Sequence, residues 1–482
     1  MSGSEPIFID KENGTQLMRR MKLLVGIAFA TITPFLFSEP VYAVGSSGFE
    51  NASFSAKTLG QANAVVARPQ DPSTISFNPA GLVELPGIET NIGLEGLDLR
   101  IFHRDQVTGD HNQNNGKLLL IPSFYLTANP GELLDNRFAM GVAVNSPFGL
   151  TTSFPSIGMG RYTGYKNYLK MAATTVSGAL RLTDKLSIGA GATNYWAYKY
   201  GQILNYPNAN ILGIPGTPDG KAVLETDGFG WGWNLGILAR PHPKHRLGFS
   251  FRSKADVDVH GHVRIDDLVG GAAQGYDTFP HFQSGAHSQI HLPQNFTFAY
   301  AYEPSEKWAA EFDLGLTGWD IFKDQDYEFD RNNATLRGLG TIPRDYHMTW
   351  SFNFGGHRQI NERFDLLGGF FFYEGAAPKK HFDNFLPDTD RYGWTFGTSY
   401  KLSDRATIDL TYLFILYATR HISNPQIPAK GGDNIDGRYT SILHGGFVAL
   451  RYQLDFPGEK SSSPQKETPP VIDAQKAIVT GR

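Results

Sequence analysis

The residues from Phe229 to Ile237 read FGWGWNLGI, and they alternate strictly between large apolar side chains and small or polar ones. Successive side chains of a β-strand point to opposite faces of the sheet. The stretch therefore predicts a strand with one face rich in tryptophan and leucine and another face that is nearly bare. An apolar outer face and a small or polar inner face are typical of strands in membrane β-barrels.

The same alternation recurs along the chain, for example at 185–200, 288–303 and 345–357. Each segment reaches or exceeds the roughly 9–11 residues that a tilted membrane strand needs, and most are too long for a soluble sandwich or propeller. The predicted fold class is all-β: a 14-stranded antiparallel transmembrane β-barrel. The predicted strands are 88–103, 117–129, 136–145, 167–183, 185–200, 223–240, 245–260, 288–303, 306–320, 345–357, 363–373, 391–402, 404–420 and 439–456.

The connections alternate in length. Those after even-numbered strands are short, and those after odd-numbered strands are long, such as 146–166, 201–222 and 261–287. Short periplasmic turns and long outer loops explain this pattern. With an even number of strands, both ends of the barrel are expected in the periplasm.

The N-terminal residues predict export followed by a plug. Residues 1–43 contain a basic start, an apolar run and a small-residue cleavage site after Ala43, so they predict a signal peptide. Met18 or Met21 is the expected true start, with residues 1–17 a spurious extension. Residues 44–87 are small, polar and glycine-rich without a membrane-type strand, and we interpret them as a plug, or hatch, inside the barrel formed by residues 88–456.

Composition narrows the choice of partners and cofactors. The formal net charge of -4 gives no argument for nucleic acid, and the absence of cysteine excludes disulfides and thiolate metal sites. Residues 457–482 are rich in Ser, Pro, Lys and Glu and predict a disordered tail. The histidines between 260 and 291 fit no standard zinc spacing, so neither a metal nor a cofactor is predicted.

Several stretches resemble one family in the same order along residues 44–456. They are Phe49 and Phe54, Gly60-Gln61-Ala62, Ser76-Phe77-Asn78-Pro79-Ala80, Phe148-Gly149-Leu150-Thr151-Thr152, Gly160-Arg161-Tyr162, Leu292 to Phe296 with Trp308, Asp313 and Trp319, Leu386 to Arg391, Gly397 to Tyr400, and Asp409 to Tyr412. They are similar to motifs of the FadL/TodX family of outer membrane transporters. The resemblance implies a monomeric barrel with its hatch inside and a route for long-chain fatty acids or hydrocarbons. It also implies ligand capture at the outer loops, hatch displacement and sideways exit through a kink in the third strand.

A transporter of this kind needs apolar surface at its mouth, because burial of apolar area supplies the affinity. The 201–222 loop carries Leu204, Ile211 and Leu212 in a nominally aqueous position. With Phe148 and Leu150 they form the predicted capture groove. The alternative is that these residues pack the loops against each other.

The hatch offers two more sets of candidates. Phe49, and Phe54 after it, are predicted to contact ligand. The alternative is that Phe49 merely anchors the plug. Asn78, Pro79 and Ala80 favour a turn that docks the hatch to the wall.

Asn145 and Pro147 end the third strand, and proline removes a ladder donor, so a break in the wall is predicted there or lower, around Gly141. The alternative is an ordinary strand end. A carboxylated ligand needs a cation, and Lys199, placed inward by parity, and Arg161 are the candidates. If neither is used, neutral hydrocarbons become the better guess.

The predicted function is uptake of hydrophobic compounds across the outer membrane of a Gram-negative bacterium, without enzymatic activity. The expected partners are the hydrophobic ligand, outer membrane lipids, lipopolysaccharide and the barrel-assembly machinery. A general porin or an adhesin is the alternative, and an outer membrane lipase or protease is a weaker one because no motif organises a catalytic constellation.

Overall fold

The computed structural model describes residues 48–51, 53–116, 118–134, 136–209, 214–269, 281–331, 336, 340–382, 384–385, 387–423 and 435–454. The predicted signal peptide and C-terminal tail lie outside these residues. None of the helices in these ranges is long and apolar enough to cross a membrane.

Fourteen antiparallel strands close into a barrel, which confirms the predicted fold class. Going round the wall, the order is β1, β3, β4, β6, β7, β8, β9, β12, β13, β16, β17, β18, β19 and β21, and β21 pairs with β1 from Ile88↔Leu454 to Asp105↔Gly437. Their bounds are β1 Ile88–Asp105, β3 Leu119–Ala128, β4 Phe138–Asn145, β6 Lys166–Thr183, β7 Leu186–Tyr206, β8 Gly220–His242, β9 His245–Arg252, β12 Asn295–Ser305, β13 Trp308–Thr317, β16 Thr349–Asn361, β17 Phe364–Tyr373, β18 Arg391–Lys401, β19 Ala406–Tyr417 and β21 Gly437–Leu454.

Within the described residues, seven further strands extend the wall on the side of the long connections. They are β2 His111–Gln113, β5 Gly149–Ser153, β10 Ala255–Asp266, β11 Phe282–Leu292, β14 Asp324–Phe329, β15 Thr341–Pro343 and β20 Arg420–Ile422. The helices are α1 Ala56–Leu59 and α2 Thr74–Phe77, with 3-10 turns at Pro79–Glu84, Gly131–Leu134, Trp319–Ile321 and Lys379–His381.

The alternation on β8 takes the predicted direction. Phe229, Trp231 and Trp233 are exposed on the outside, with Trp231 69% exposed. Apolar surface of this kind is stable against lipid and unfavourable in water. The outward face is therefore the lipid-facing one.

Two predicted loops are partly strand. β7 and β8 remain paired up to Tyr206↔Gly220, so the predicted loop 201–222 shrinks to 207–219. The predicted seventh and eighth strands are each interrupted, at 253–254 and 293–294, and continue as β10 and β11 into the predicted loop 261–287. Pairing between neighbouring strands thus continues beyond the lipid-facing part of the wall.

The described part of the hatch, residues 48–51 and 53–87, lies inside the barrel. Its backbone is hydrogen-bonded by inward side chains from opposite parts of the wall: Thr411 on β19 donates to the Ala56 carbonyl, and Asn234 on β8 donates to the Ile75 carbonyl. Most of its side chains are buried. A segment that contacts opposite sides of a closed wall can only occupy the lumen.

Candidate functional site

The half of the lumen towards the long connections contains a large group of buried apolar side chains, which we call the upper cluster. It draws on the hatch, on β5 to β8, on β10, β11 and β14, and on the connections after β13, β14, β15 and β17. Its aromatic members are Phe49, Phe148, Tyr195, Tyr200, Tyr206, Phe282, Trp319, Phe322, Tyr327, Tyr346 and Phe385. So many aromatic rings inside a barrel give it the chemistry of a site for an apolar molecule.

Phe49 is the hatch residue at the centre of this cluster. Its ring meets those of Trp319, Phe322 and Phe148 edge-on, with centroids 4.7, 5.6 and 6.1 Å away. Gly48 before it has φ +64°, and a Cβ there would collide with the indole of Trp319. The glycine therefore allows the chain to place Phe49 against that indole.

Phe54 lies in a different place. It packs against Phe77 within the hatch, with centroids 5.1 Å apart, and belongs to a separate cluster with Ile75 and Leu82. The structure thus brings Phe49 to the upper cluster and leaves Phe54 in the body of the hatch.

Phe148 and Leu150 were predicted in a groove at the mouth, and that position is wrong. Both are buried in the upper cluster because the start of the long connection folds inward as β5 along β6. Leu204 is also buried there, since β7 extends past its predicted end. Sequence reasoning placed these apolar residues too far out.

The rest of the predicted capture groove is at the rim. Ile211 and Leu212 lie outside the described residues. Next to them Ile214 is 58% exposed, and Ile157 on the neighbouring connection is 80% exposed. The described residues of these two connections therefore present apolar side chains to water.

Lys199 does not face the lumen, so that prediction is wrong. A bulge at Tyr198 and Lys199 reverses the parity of β7. The Lys199 ammonium lies 2.7 Å from Glu225 Oε1 on the outward face of β8. Arg161 remains in the long connection between β4 and β6, with its Nη1 3.8 Å from Asp219 Oδ2.

Asn78, Pro79 and Ala80 meet the wall near its short-turn end. The Asn78 amide donates to the carbonyl of Val66 at 2.8 Å and to that of Ile237 on β8 at 3.0 Å. Its Oδ1 accepts from the Ala80 N–H at 3.1 Å, which caps the following 3-10 turn. Asn78 thus joins two parts of the hatch to one strand of the wall.

Sequence reasoning missed a second contact between the hatch and the wall. Asp313 on β13 accepts from the N–H groups of Val65 and Val66, and Glu311 accepts from Ala67 at 2.6 Å. The sequence did carry a signal, since two acidic residues stand two positions apart in a predicted membrane strand and so point to the same face. Inward carboxylates in such a strand need donors, and the hatch backbone supplies them.

The wall has a break between β3 and the start of β5. β3 pairs with β4 only through Phe124–Ala128, and within the described residues no ladder joins 119–123 to β5. Above this stretch the N–H of Asn115 donates to Ser153 at 2.7 Å. Pro122 lies in the unpaired stretch, where a missing N–H is an advantage.

The hatch covers this break from inside. The N–H of Asn51 donates to the Pro147 carbonyl at 2.7 Å, and the N–H of Gly149 donates to the Phe49 carbonyl at 2.9 Å. Glu50 therefore forms a β-bridge with Phe148. Backbone groups that the break would leave unpaired are satisfied by the hatch.

The predicted kink at Gly141 is wrong, because β4 is paired on both sides there. A Cβ at Gly141 would lie 2.6 Å from Ile75 Cδ1, so this glycine makes room for the hatch. Asn145 ends β4 and donates to Ser76 and Tyr125 at 2.8 and 3.0 Å. The break begins immediately after it, at the predicted Pro147.

The lumen below the hatch is polar. A cavity of about 270 Å³ at the short-turn end is lined by charged residues that include Lys57, Glu89, Arg363, Arg405 and Arg451. Burial lowers the pKa of the Lys57 ammonium below its ordinary value, and the nearby Arg451 guanidinium lowers it further. An apolar molecule would find no favourable surface here.

A closed barrel with an aromatic lipid-facing surface, filled by its own N-terminal segment, defines a plugged membrane β-barrel. Residues 42–456 match the model of the family described as outer membrane protein transport protein (OMPP1/FadL/TodX). The chain belongs to this family of outer membrane transporters of hydrophobic compounds, and its location is the outer membrane of a Gram-negative bacterium.

Curated relatives and solved structures agree with this family assignment. A long-chain fatty acid transport protein of Escherichia coli O6:H1 is 23% identical over 76% of this chain and 86% of its own. Outer membrane protein P1 of Haemophilus influenzae is 22% identical over 85% and 95%. A Pseudomonas aeruginosa FadL homologue superposes with a TM-score of 0.72 at 20% identity over 84% and 100%, and the Pseudomonas putida toluene transporter TodX with 0.63 at 14% over 84% and 99%.

Proposed function

We propose that the protein takes up long-chain fatty acids or hydrocarbons. Ligand is captured at the outer loops, enters the upper cluster, displaces the N-terminus of the hatch and leaves sideways through the break beside β5. The family membership and the functions named for its relatives support the substrate class. No covalent step is involved.

The contact between Phe49 and the break carries this proposal. Phe49 holds the centre of the apolar cluster, and the next residue, Glu50, bridges the break in the wall. An apolar ligand that takes the place of Phe49 among Trp319 and Phe322 must move the segment that covers the break. Binding of the ligand and opening of the break are then the same event, because the ligand binds only the conformation in which the hatch N-terminus has moved.

The outer surface beside the break supports sideways exit. The outward neighbours of the unpaired stretch are Leu118, 66% exposed, and Leu120, 48% exposed. A ligand that leaves here enters lipid directly. Exit downward would lead through the charged cavity around Lys57 and Arg451, which opposes an apolar molecule.

The direct test is uptake by a deletion strain that carries the gene on a plasmid. We expect restored accumulation of labelled oleate or labelled toluene, and no change in the uptake of a small sugar. Accumulation of both hydrophobic compounds no higher than with an empty plasmid would refute the proposal. Mass spectrometry of lipids that co-purify with the detergent-extracted protein identifies the ligand.

The rim residues give a separate prediction. Changing Ile211 and Leu212 to serine should raise the half-saturating ligand concentration about tenfold, because losing part of the burial of two aliphatic side chains costs about 1–2 kcal/mol. Uptake at saturating ligand should stay near the wild-type rate. Val107→Ser, on another outer connection and 82% exposed, is the matched control. Unchanged uptake at low ligand would reject the capture groove.

The alternative functions require different structures. A general porin needs an open lumen, whereas the hatch fills this one. Adhesion by the outer connections remains compatible with transport as a second role. The monomeric state and the contacts with lipopolysaccharide and with the barrel-assembly machinery stay predictions.

A further inference from the structure

The floor of the upper cluster contains an ion pair between the hatch and the wall. Glu50 pairs with the guanidinium of Arg252, the last residue of β9. Glu50 is 6% exposed, and the Arg252 guanidinium lies 4.9 Å from the centre of the Phe148 ring. The pair therefore borders the space where an apolar ligand would lie.

The other buried arginines around this cluster are held differently. Arg391 pairs with Asp388, which also accepts from the N–H groups of Ala376 and Ala377, so its counter-ion is fixed within the connection between β17 and β18. Arg344 hydrogen-bonds to Gln325 on β14. The Glu50–Arg252 ion pair differs from these, because its arginine lies on the wall beside the upper cluster and its carboxylate lies on the hatch.

We propose that Arg252 is an exchange site for the anionic head of an amphiphilic ligand. The ligand carboxylate replaces Glu50 on the guanidinium, and Glu50 leaves with the hatch N-terminus. This rests on the proposed uptake function and specifies its ligand class. A long-chain carboxylate fits both halves of the site, with its chain among the aromatic rings and its head on Arg252.

The exchange follows from the cost of a buried unpaired charge. Removing one partner of a buried ion pair is strongly unfavourable, so Glu50 holds the hatch until another anion takes its place. A carboxylate can do so with two parallel hydrogen bonds. Arg252 Nε is buried without a hydrogen-bond partner and is available for the second one. A neutral hydrocarbon offers no replacement.

The displaced Glu50 has a polar space beside it. A cavity of about 90 Å³ is lined by Glu50, Arg252 and the Asp313 carboxylate, by apolar side chains such as Phe54, and by amide or hydroxyl side chains, among them Asn63, Ser76 and Asn353. Such a cavity is suited to hold water and can solvate a carboxylate. The exchange then leaves neither charge buried without partners.

Binding of oleate and of methyl oleate to the detergent-solubilised full chain tests this. Both carry the same hydrocarbon chain, and only oleate has a charged head. Glu50→Gln removes the competing carboxylate and should tighten oleate binding about tenfold without changing methyl oleate. Arg252→Gln should bring the two affinities within about twofold of each other. Arg264→Gln, an exposed arginine paired with Asp266 on β10, is the matched control.

A spin label at Ser53→Cys reports the hatch directly, since the chain has no other cysteine. Oleate should mobilise the label in the wild-type background, and methyl oleate should not. Arg252→Gln that still binds methyl oleate is folded, which makes its loss of oleate preference interpretable. Equal binding of both lipids in all variants would overturn the exchange and leave uptake intact, whereas binding of neither lipid would overturn both.

Discussion

Replacing Gly236 with valine is expected to displace the hatch while the barrel stays closed. Gly236 lies on β8 where the hatch docks, and a Cβ there would overlap Asn78 Oδ1 and lie 2.9 Å from Pro79 Cδ. Valine suits a strand, so the wall itself tolerates the change. The docking amide of Asn78 would lose its bond to Ile237, at about 1–3 kcal/mol for each buried group left unsatisfied.

The measurement is conductance in planar bilayers together with sensitivity of cells to a large hydrophilic antibiotic. Both should rise markedly, because a lumen without its seated hatch is filled with water. Gly446→Val is the matched control: Gly446 is a glycine of β21 on the outward face, with no atom within 4 Å of an added Cβ. If Gly236→Val conducts as little as Gly446→Val, the docking role assigned to Asn78, Pro79 and Ala80 is refuted.

The wall was predictable because lipid imposes one rule on every strand. Apolar side chains must face outward at every second position, as Phe229, Trp231 and Trp233 do, so the pattern can be read without any tertiary information. A break was also predictable from Pro147, because proline cannot contribute a donor to a ladder. Pro122, inside a predicted strand, was a second such signal on the facing strand.

The inner site was less predictable because it depends on exceptions to that rule. The bulge at Tyr198 and Lys199 turns Lys199 outward, and nothing in the alternation marks an extra residue there. Phe148 lies beside Phe49 because β5 folds inward, which is a property of the assembled barrel. Glu50 and Arg252 are about 200 positions apart, and only the closed barrel with its hatch brings them together.

A disulfide between Glu50→Cys and Phe148→Cys is expected to abolish uptake reversibly. The bonds from Asn51 to Pro147 and from Gly149 to Phe49 make positions 50 and 148 a non-hydrogen-bonded antiparallel pair. Such pairs have Cα atoms about 4.5 Å apart, within the roughly 4.4–6.8 Å that a disulfide spans. The chain has no native cysteine to compete.

The oxidised form keeps the hatch N-terminus across the break, and the reduced form releases it. Oleate uptake should therefore fall to the level of the deletion strain under oxidation and recover when dithiothreitol is added. Both states carry the same two substitutions, so the loss of the Phe148 ring and of the Glu50 charge cancels in the comparison. Each single-cysteine variant, treated in the same way, controls for effects of the reagents.

The oxidised variant also separates capture from exit. Ligand can still reach the outer loops and the upper part of the apolar cluster, because the disulfide restrains only the segment at the break. Binding of oleate should persist while transport stops, since the unpaired edge at 119–123 stays covered. If mass spectrometry shows a complete disulfide and uptake continues at the reduced rate, the hatch N-terminus does not need to leave the break and sideways exit by this route is refuted.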